Sequence, residues 1–158
     1  MDTVNIDNKN SATQIGKDNY ILNRLAFDTR TFYKQDAIEY LKKAQKQNGR
    51  FDLIILDPPP KFKRKKGGLF LTHIHYPGLL DLSFKLISKD GGIIVAGLNS
   101  LKSSQADFIN ILSESAKISD RKGELLEQIK PDNDFPFSPD RPVAKFFVIK
   151  IHPQKNNS

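Results

Sequence analysis

Short runs of aliphatic and β-branched residues alternate along this chain with longer stretches whose apolar positions recur three and four apart. Val4-Asn5-Ile6 reads as a short strand. Ser11 and Gln14 have the spacing of a capping box and open a helix over residues 12–25 that buries Ile15, Tyr20 and Leu22. Thr31-Phe32-Tyr33 is again β-rich, and Asp36 with Glu39 repeats the capping pattern ahead of Ala37, Ile38, Tyr40, Leu41 and Ala44. Phe51 to Leu56 is a nearly continuous apolar run, as expected of a parallel strand covered on both faces. Leu79, Leu80, Leu82, Phe84, Leu86 and Ile87 build an apolar helix that stops before Gly91-Gly92, where glycine can take the left-handed cap conformation. Ile93 to Ala96 is the next strand, and Ser103 or Ser104 caps a helix carrying Phe108, Ile109, Leu112 and Ala116. Leu125-Leu126 and Val143 to Ile151 form two closing strands around a proline-rich connection.

Strands alternating with helices predict an α/β fold with a mainly parallel sheet of about six strands, closed by a C-terminal antiparallel hairpin. The expected organisation is one domain over residues 1–152 and a disordered tail over 153–158. A chain of 158 residues suffices for one such core. No apolar run approaches the roughly 20 residues that cross a bilayer. The start Met1-Asp2-Thr3-Val4-Asn5-Ile6-Asp7 has neither the basic flank nor the apolar stretch of a secretory signal, so a cytoplasmic location is expected and a membrane partner is not. With no cysteine, this chain supplies no disulfide, thiolate zinc site or cysteine nucleophile. The formal charge of +7 favours a polyanionic partner such as RNA.

In a parallel sheet, ligands gather at the carboxyl ends of the strands, which draws attention to Asp7, Asp36, Asp57 and Asn99. A single aspartate there is usually a helix cap or turn residue, but three carboxylates concentrate the chemistry. Beyond Asp57 lie Pro58, Pro59 and Pro60, and then the basic run Lys61-Phe62-Lys63-Arg64-Lys65-Lys66. Such a run is either a solvated surface or a phosphate-binding loop in which Phe62 stacks on a base. His73 and His75 lack the neighbours that would complete a metal site and are expected to be polar residues of a loop or helix start, so no metal is expected.

Val4-Asn5-Ile6-Asp7 with the following Asn19 and Leu22-Asn23-Arg24-Leu25 resembles the second strand and helix of class I S-adenosylmethionine-dependent methyltransferases. Phe51-Asp52-Leu53-Ile54-Ile55-Leu56-Asp57-Pro58-Pro59 is similar to the strand and D-P-P motif of family members that methylate base nitrogens or large-subunit ribosomal RNA. Gly91 to Ser100, and Asp134 to Arg141 with the strand after them, resemble the fifth and closing strands of the rRNA enzymes. The resemblance implies a Rossmann-like sheet and S-adenosylmethionine as cofactor. It further implies ribose binding by Asp7, adenine contact by Asp36 and Ala37, and a catalytic turn at Asp57, Pro58 and Pro59 that also borders the cofactor through Asp57. Stiff prolines there would let a carbonyl and the Asp57 side chain position a substrate nitrogen with little reorganisation. RNA contact by Lys61, Phe62, Lys63, Arg64, Lys65 and Lys66 is the corresponding expectation.

The chain also departs from the family pattern. Base-nitrogen enzymes often carry an aromatic residue directly after the second proline, and the rRNA enzymes one at D-P-P-x-F, whereas here Pro60 intervenes and the aromatic is Phe62. The cysteine that carbon-5 cytosine methylation requires is missing at Leu98-Asn99-Ser100, which leaves a nitrogen acceptor as the consistent choice. The family's first strand and glycine-rich methionine-binding loop have no counterpart before Val4. The expectation is therefore a C-terminal part of a larger enzyme that lacks its first strand and is either weakly active alone or completed by an N-terminal partner chain or a homo-oligomer. A noncatalytic remnant that binds RNA, or a subunit that binds such a partner, is the alternative.

Overall fold

The computed structural model describes residues 2–64, 68–99, 104–129 and 144–154. Lys65, Lys66, Ser100, Ser103, the segment from Asp134 to Arg141 and residues 155–158 therefore lie outside the described part. Contacts group the chain into two compact units, Met1–Lys43 and Ala44–Ser158, each treated by itself below.

In the first unit, β1 (Asn5–Asp7) leads into α1 (Asn10–Leu22), and β2 (Phe32–Lys34) pairs with β1 in parallel, Asp7 opposite Lys34. The expected capping box at the start of α1 is not used. The helix begins one residue before Ser11, its N-cap is Lys9, and Gln14 instead donates to Asp18 one turn later at 2.9 Å. Burial of Ile15 and Leu22 is likewise overturned, since they are 60% and 78% exposed. The helix packs through Thr13, Gly16 and Tyr20, and the ring of Tyr20 meets those of Phe27 and Phe32 at 5.1 and 5.7 Å. Gly16 permits this: a Cβ there would sit 2.8 Å from the Phe32 ring, so only glycine lets the aromatic residue approach the helix backbone. The helix α2 (Ala37–Lys46) is capped as expected, by Asp36 Oδ1 accepting from the amides of Ile38 and Glu39 at 3.0 and 3.2 Å.

The second unit is built on four strands in the order β3 (Leu53–Leu56), β6 (Gly92–Asn99), β8 (Ala144–Ile151), β7 (Gly123–Ile129). β3 is parallel to β6, whereas β8 runs antiparallel to both β6 and β7, which gives the expected closing hairpin. Together with β1 and β2 these account for the strands read from the hydrophobic pattern. A further antiparallel hairpin, β4 (Lys61–Lys63) with β5 (Leu69–Leu71), occupies the segment expected to be a basic loop. The apolar run of β3 does not mean two covered faces: Ile54 and Leu56 are buried, while Leu53 and Ile55 are 44% and 64% exposed.

Two helices complete the unit. α3 (Thr72–Leu86) buries Tyr76, Leu79, Leu80, Phe84 and Leu86. α4 (Gln105–Ile118) is capped by Ser104, whose hydroxyl accepts from the Asp107 amide while the Asp107 carboxylate accepts from the Ser104 amide. Tyr76, Phe108 and Phe147 form a chain of rings with centroid spacings of 5.0 and 5.1 Å at the centre of the core. Phe108 is fully buried, so Phe108→Ala is expected to cost about 3–5 kcal/mol of unfolding free energy. Urea titration followed by circular dichroism measures this, and a loss below about 1 kcal/mol would place Phe108 outside the core.

The Arg121 guanidinium, also buried, donates to the carbonyls of Ile87, Ser88 and His152 at 3.3, 2.8 and 3.1 Å. It ties the end of α3 to the end of β8.

Candidate functional site

The turn from Asp57 to Pro60 leaves the carboxyl end of β3 next to the parallel β6. Gly97 of β6 allows a close approach there, because a Cβ would lie 2.9 Å from the Leu56 carbonyl oxygen and 2.5 Å from the Phe146 ring. Three consecutive prolines have no N–H groups, so Pro58, Pro59 and Pro60 offer only acceptors. Two of them are taken. The Thr72 hydroxyl donates to the Pro59 carbonyl at 2.6 Å, and the Thr72 amide donates to the Pro60 carbonyl at 3.1 Å. Among the described residues, the Asp57 carboxylate and the Pro58 carbonyl accept no hydrogen bond. Asp57 is exposed and Pro58 half-buried, so the strand end carries two acceptors without a partner among the described residues.

Tyr76 of α3 is fully buried, and its hydroxyl has no hydrogen-bond partner among the described residues. Burial, and after it the negative charge of Asp57, push the Tyr76 hydroxyl well above its usual ionisation range. It stays a neutral donor across the physiological range. Sequence reasoning missed both Thr72 and Tyr76. The visible signal was the threonine that follows the β-rich Leu69-Phe70-Leu71 at a helix start.

The hairpin sorts the basic segment by strand alternation. Lys61 and Lys63 are exposed on one face, and Phe62 points the other way and is half-buried, with its ring stacked on Phe70 at 4.6 Å and an interplanar angle of 22°. Phe70 is itself buried and meets the His75 ring at 5.2 Å. One face of Phe62 is therefore already covered. Arg64 closes the hairpin through its amide, which donates to the Gly68 carbonyl at 2.9 Å. His73 and His75 fall inside α3, and His75 Nδ1 lies 3.0 Å from both the amide nitrogen and the carbonyl oxygen of Leu71.

In the first unit, Asp7 and Asp36 both stand at the carboxyl ends of the parallel β1 and β2. Asp7 is half-buried and spends Oδ1 on the Lys9 amide at 2.7 Å, with no bond to Oδ2 among the described residues. A carboxylate so held can still accept from a ligand hydroxyl. Asp36 caps α2, and Ala37, the first residue of that helix, has an amide without an intrahelical acceptor.

Elsewhere, a shallow groove of about 450 Å³ between α3 and α4, lined by Pro77, Asp81, Ile111 and Ile118 among others, contains none of the sequence-predicted site residues. No group of three or more potential metal ligands occurs among the described residues, and no described helix is long and apolar enough to cross a membrane.

No protein-family model matches the chain. Among curated proteins it is 29% identical over 145 residues to ribosomal RNA large subunit methyltransferase I of Tolumonas auensis, covering 92% of this chain and 36% of that protein. The Aeromonas hydrophila protein of the same name is 28% identical over 135 residues, covering 85% and 34%. The chain thus spans about a third of the length of the relatives it matches. Among solved structures, a protein assigned as a methyltransferase and crystallised with S-adenosylhomocysteine superposes with a TM-score of 0.83 at 21% identity, over 95% of this chain and 39% of that one. An S-adenosylmethionine-dependent methyltransferase from Agrobacterium tumefaciens gives 0.68 at 18% identity, over 94% and 48%. These likenesses establish a Rossmann-like methyltransferase fold.

Proposed function

We propose that this chain, a relative of the ribosomal RNA large subunit methyltransferases with the α/β fold of S-adenosylmethionine-dependent methyltransferases, takes part in methylating a base nitrogen of ribosomal RNA. The observation that carries this reading is the pair of open acceptors at the end of β3, the Asp57 carboxylate and the Pro58 carbonyl. A base amino group or ring N–H presents donors in a plane, and two acceptors fixed by a proline turn would orient its lone pair without reorganisation. The cofactor, when bound, supplies an electrophilic methyl group. Asp57 would hold the substrate nitrogen in line for attack, and no covalent intermediate is needed, in keeping with a chain that has no cysteine.

The residues of the first unit suit the adenosine part of that cofactor. Asp7 would accept from the ribose hydroxyls through its remaining oxygen, and the Ala37 amide, with the Asp36 carboxylate beside it, would meet the adenine edge. Lys61 and Lys63, exposed on one face of β4, would contact RNA phosphates together with Arg64, Lys65 and Lys66. Since one face of Phe62 is covered by Phe70, its base-stacking role would use the opposite face.

Asp7→Ala tests the cofactor side. Losing a charge-assisted hydrogen bond should weaken binding of S-adenosylhomocysteine by roughly tenfold or more in calorimetric titration. Unchanged affinity would remove Asp7 from the ribose. For the reaction itself, tritium transfer from labelled S-adenosylmethionine to ribosomal RNA, followed by nucleoside analysis, identifies the modified base. A methyl group on carbon or on ribose would refute the nitrogen assignment.

A further inference from the structure

We propose that Thr72 is a positioning residue of this site: its hydroxyl and amide latch the Pro59 and Pro60 carbonyls, so that the Asp57 carboxylate and Pro58 carbonyl are the acceptors held open for substrate. The inference rests on the methyltransferase reading above. A turn of consecutive prolines has no donors of its own and can be gripped only through its carbonyls. Thr72 grips it twice, at 2.6 and 3.1 Å. Thr72 itself is fully buried, so its hydroxyl and amide are withheld from water, whereas Pro59 and Pro60 are exposed.

The mounting of the latch is also specific. Thr72 is the first residue of α3, where the amide has no intrahelical acceptor, and this orphan donor is spent on the turn. The residue before it gives no side-chain cap, but the helix start is steadied by His75 at 3.0 Å from Leu71. Farther along the same helix Tyr76, Leu80 and Phe84 are fully buried, so the latch stands on a helix fixed in the core. One turn beyond Thr72, the Tyr76 hydroxyl is buried without a partner among the described residues and feels the charge of Asp57. The start of α3 thus meets the turn with the Thr72 donor pair engaged.

Thr72→Val removes the hydroxyl donor at nearly constant shape, and Thr72→Ser restores it. In methyl transfer to ribosomal RNA, the valine variant should lose roughly tenfold or more in kcat, as misplacement at a reacting centre does, with the KM for the methyl donor little changed. The serine variant should keep most of the rate. Should the valine variant not fold, Thr72→Cys, whose thiol is a weak donor, takes its place. Equal kcat in wild type and valine, or equal loss in serine and valine, would overturn the latch.

A second readout does not need activity. With carbon-13 at the proline carbonyls, the valine variant should shift the Pro58 resonance as well as that of Pro59, and the serine variant should shift neither. A wild-type protein that methylates no RNA even with an N-terminal complementing chain would sink the methyltransferase reading, and the Pro58 resonance would then decide the latch alone. A stationary Pro58 signal in the valine variant overturns it.

Discussion

Asp57→Asn is expected to lower methyl transfer to ribosomal RNA by about 10²–10³-fold, the scale seen when one preorganised polar group is removed from a reacting centre. The substitution keeps the size of the side chain, removes its charge and replaces one acceptor with a donor, which faces the N–H of a base unfavourably. Asp57 is exposed and makes no hydrogen bond to the described residues, so the melting temperature should stay within about a degree or two of wild type. Single-turnover kinetics with labelled S-adenosylmethionine separate the chemical step from binding. A variant with full rate would show that the open carboxylate does not touch the substrate.

The second large effect concerns salt. Replacing Lys61, Lys63, Arg64, Lys65 and Lys66 together by alanine should flatten the dependence of RNA affinity on salt by roughly 0.7 unit per lost phosphate contact on a single strand. If all five engage phosphates, the slope falls by about three and a half units, and the affinity at low salt falls by orders of magnitude. Fluorescence anisotropy with a labelled ribosomal RNA fragment over a range of salt concentrations gives both quantities. An unchanged slope would make the segment a solvated surface.

Much of this architecture was legible because the relevant physics is local. The aspartate before α2 caps it as the spacing from Asp36 to Glu39 required, and the apolar run ending at Leu56 does form the strand that delivers Asp57. Where the pattern misled, a tertiary contact had won. Ser11 and Gln14 fit a capping box, yet α1 is positioned by Tyr20 and Gly16 against Phe32, which shifts its start and turns Ile15 and Leu22 outward. The basic segment looked like a loop because charge hid its alternation. Phe62 between Lys61 and Lys63 is a strand pattern once Phe70 supplies the ring across the hairpin. Thr72 could be read only as a threonine at a helix start, since its bonds to Pro59 and Pro60 join positions about a dozen residues apart.

The position of β8 bears on how the second unit is made. It comes after β3, β6 and β7 in the sequence, yet it lies between β6 and β7 and pairs with both. Neither strand can acquire its final neighbour until residues 144–151 have left the ribosome, and Arg121 cannot complete its carbonyl contacts before His152 follows. Until then the flank of β6 has no β8 to pair with, and an uncovered strand edge is one that invites misassociation. High sequence separation between β6 and β8 adds a loop-closure cost and predicts slow refolding from denaturant. Cooperativity of the sheet thus depends on a strand that follows both of its neighbours in the sequence.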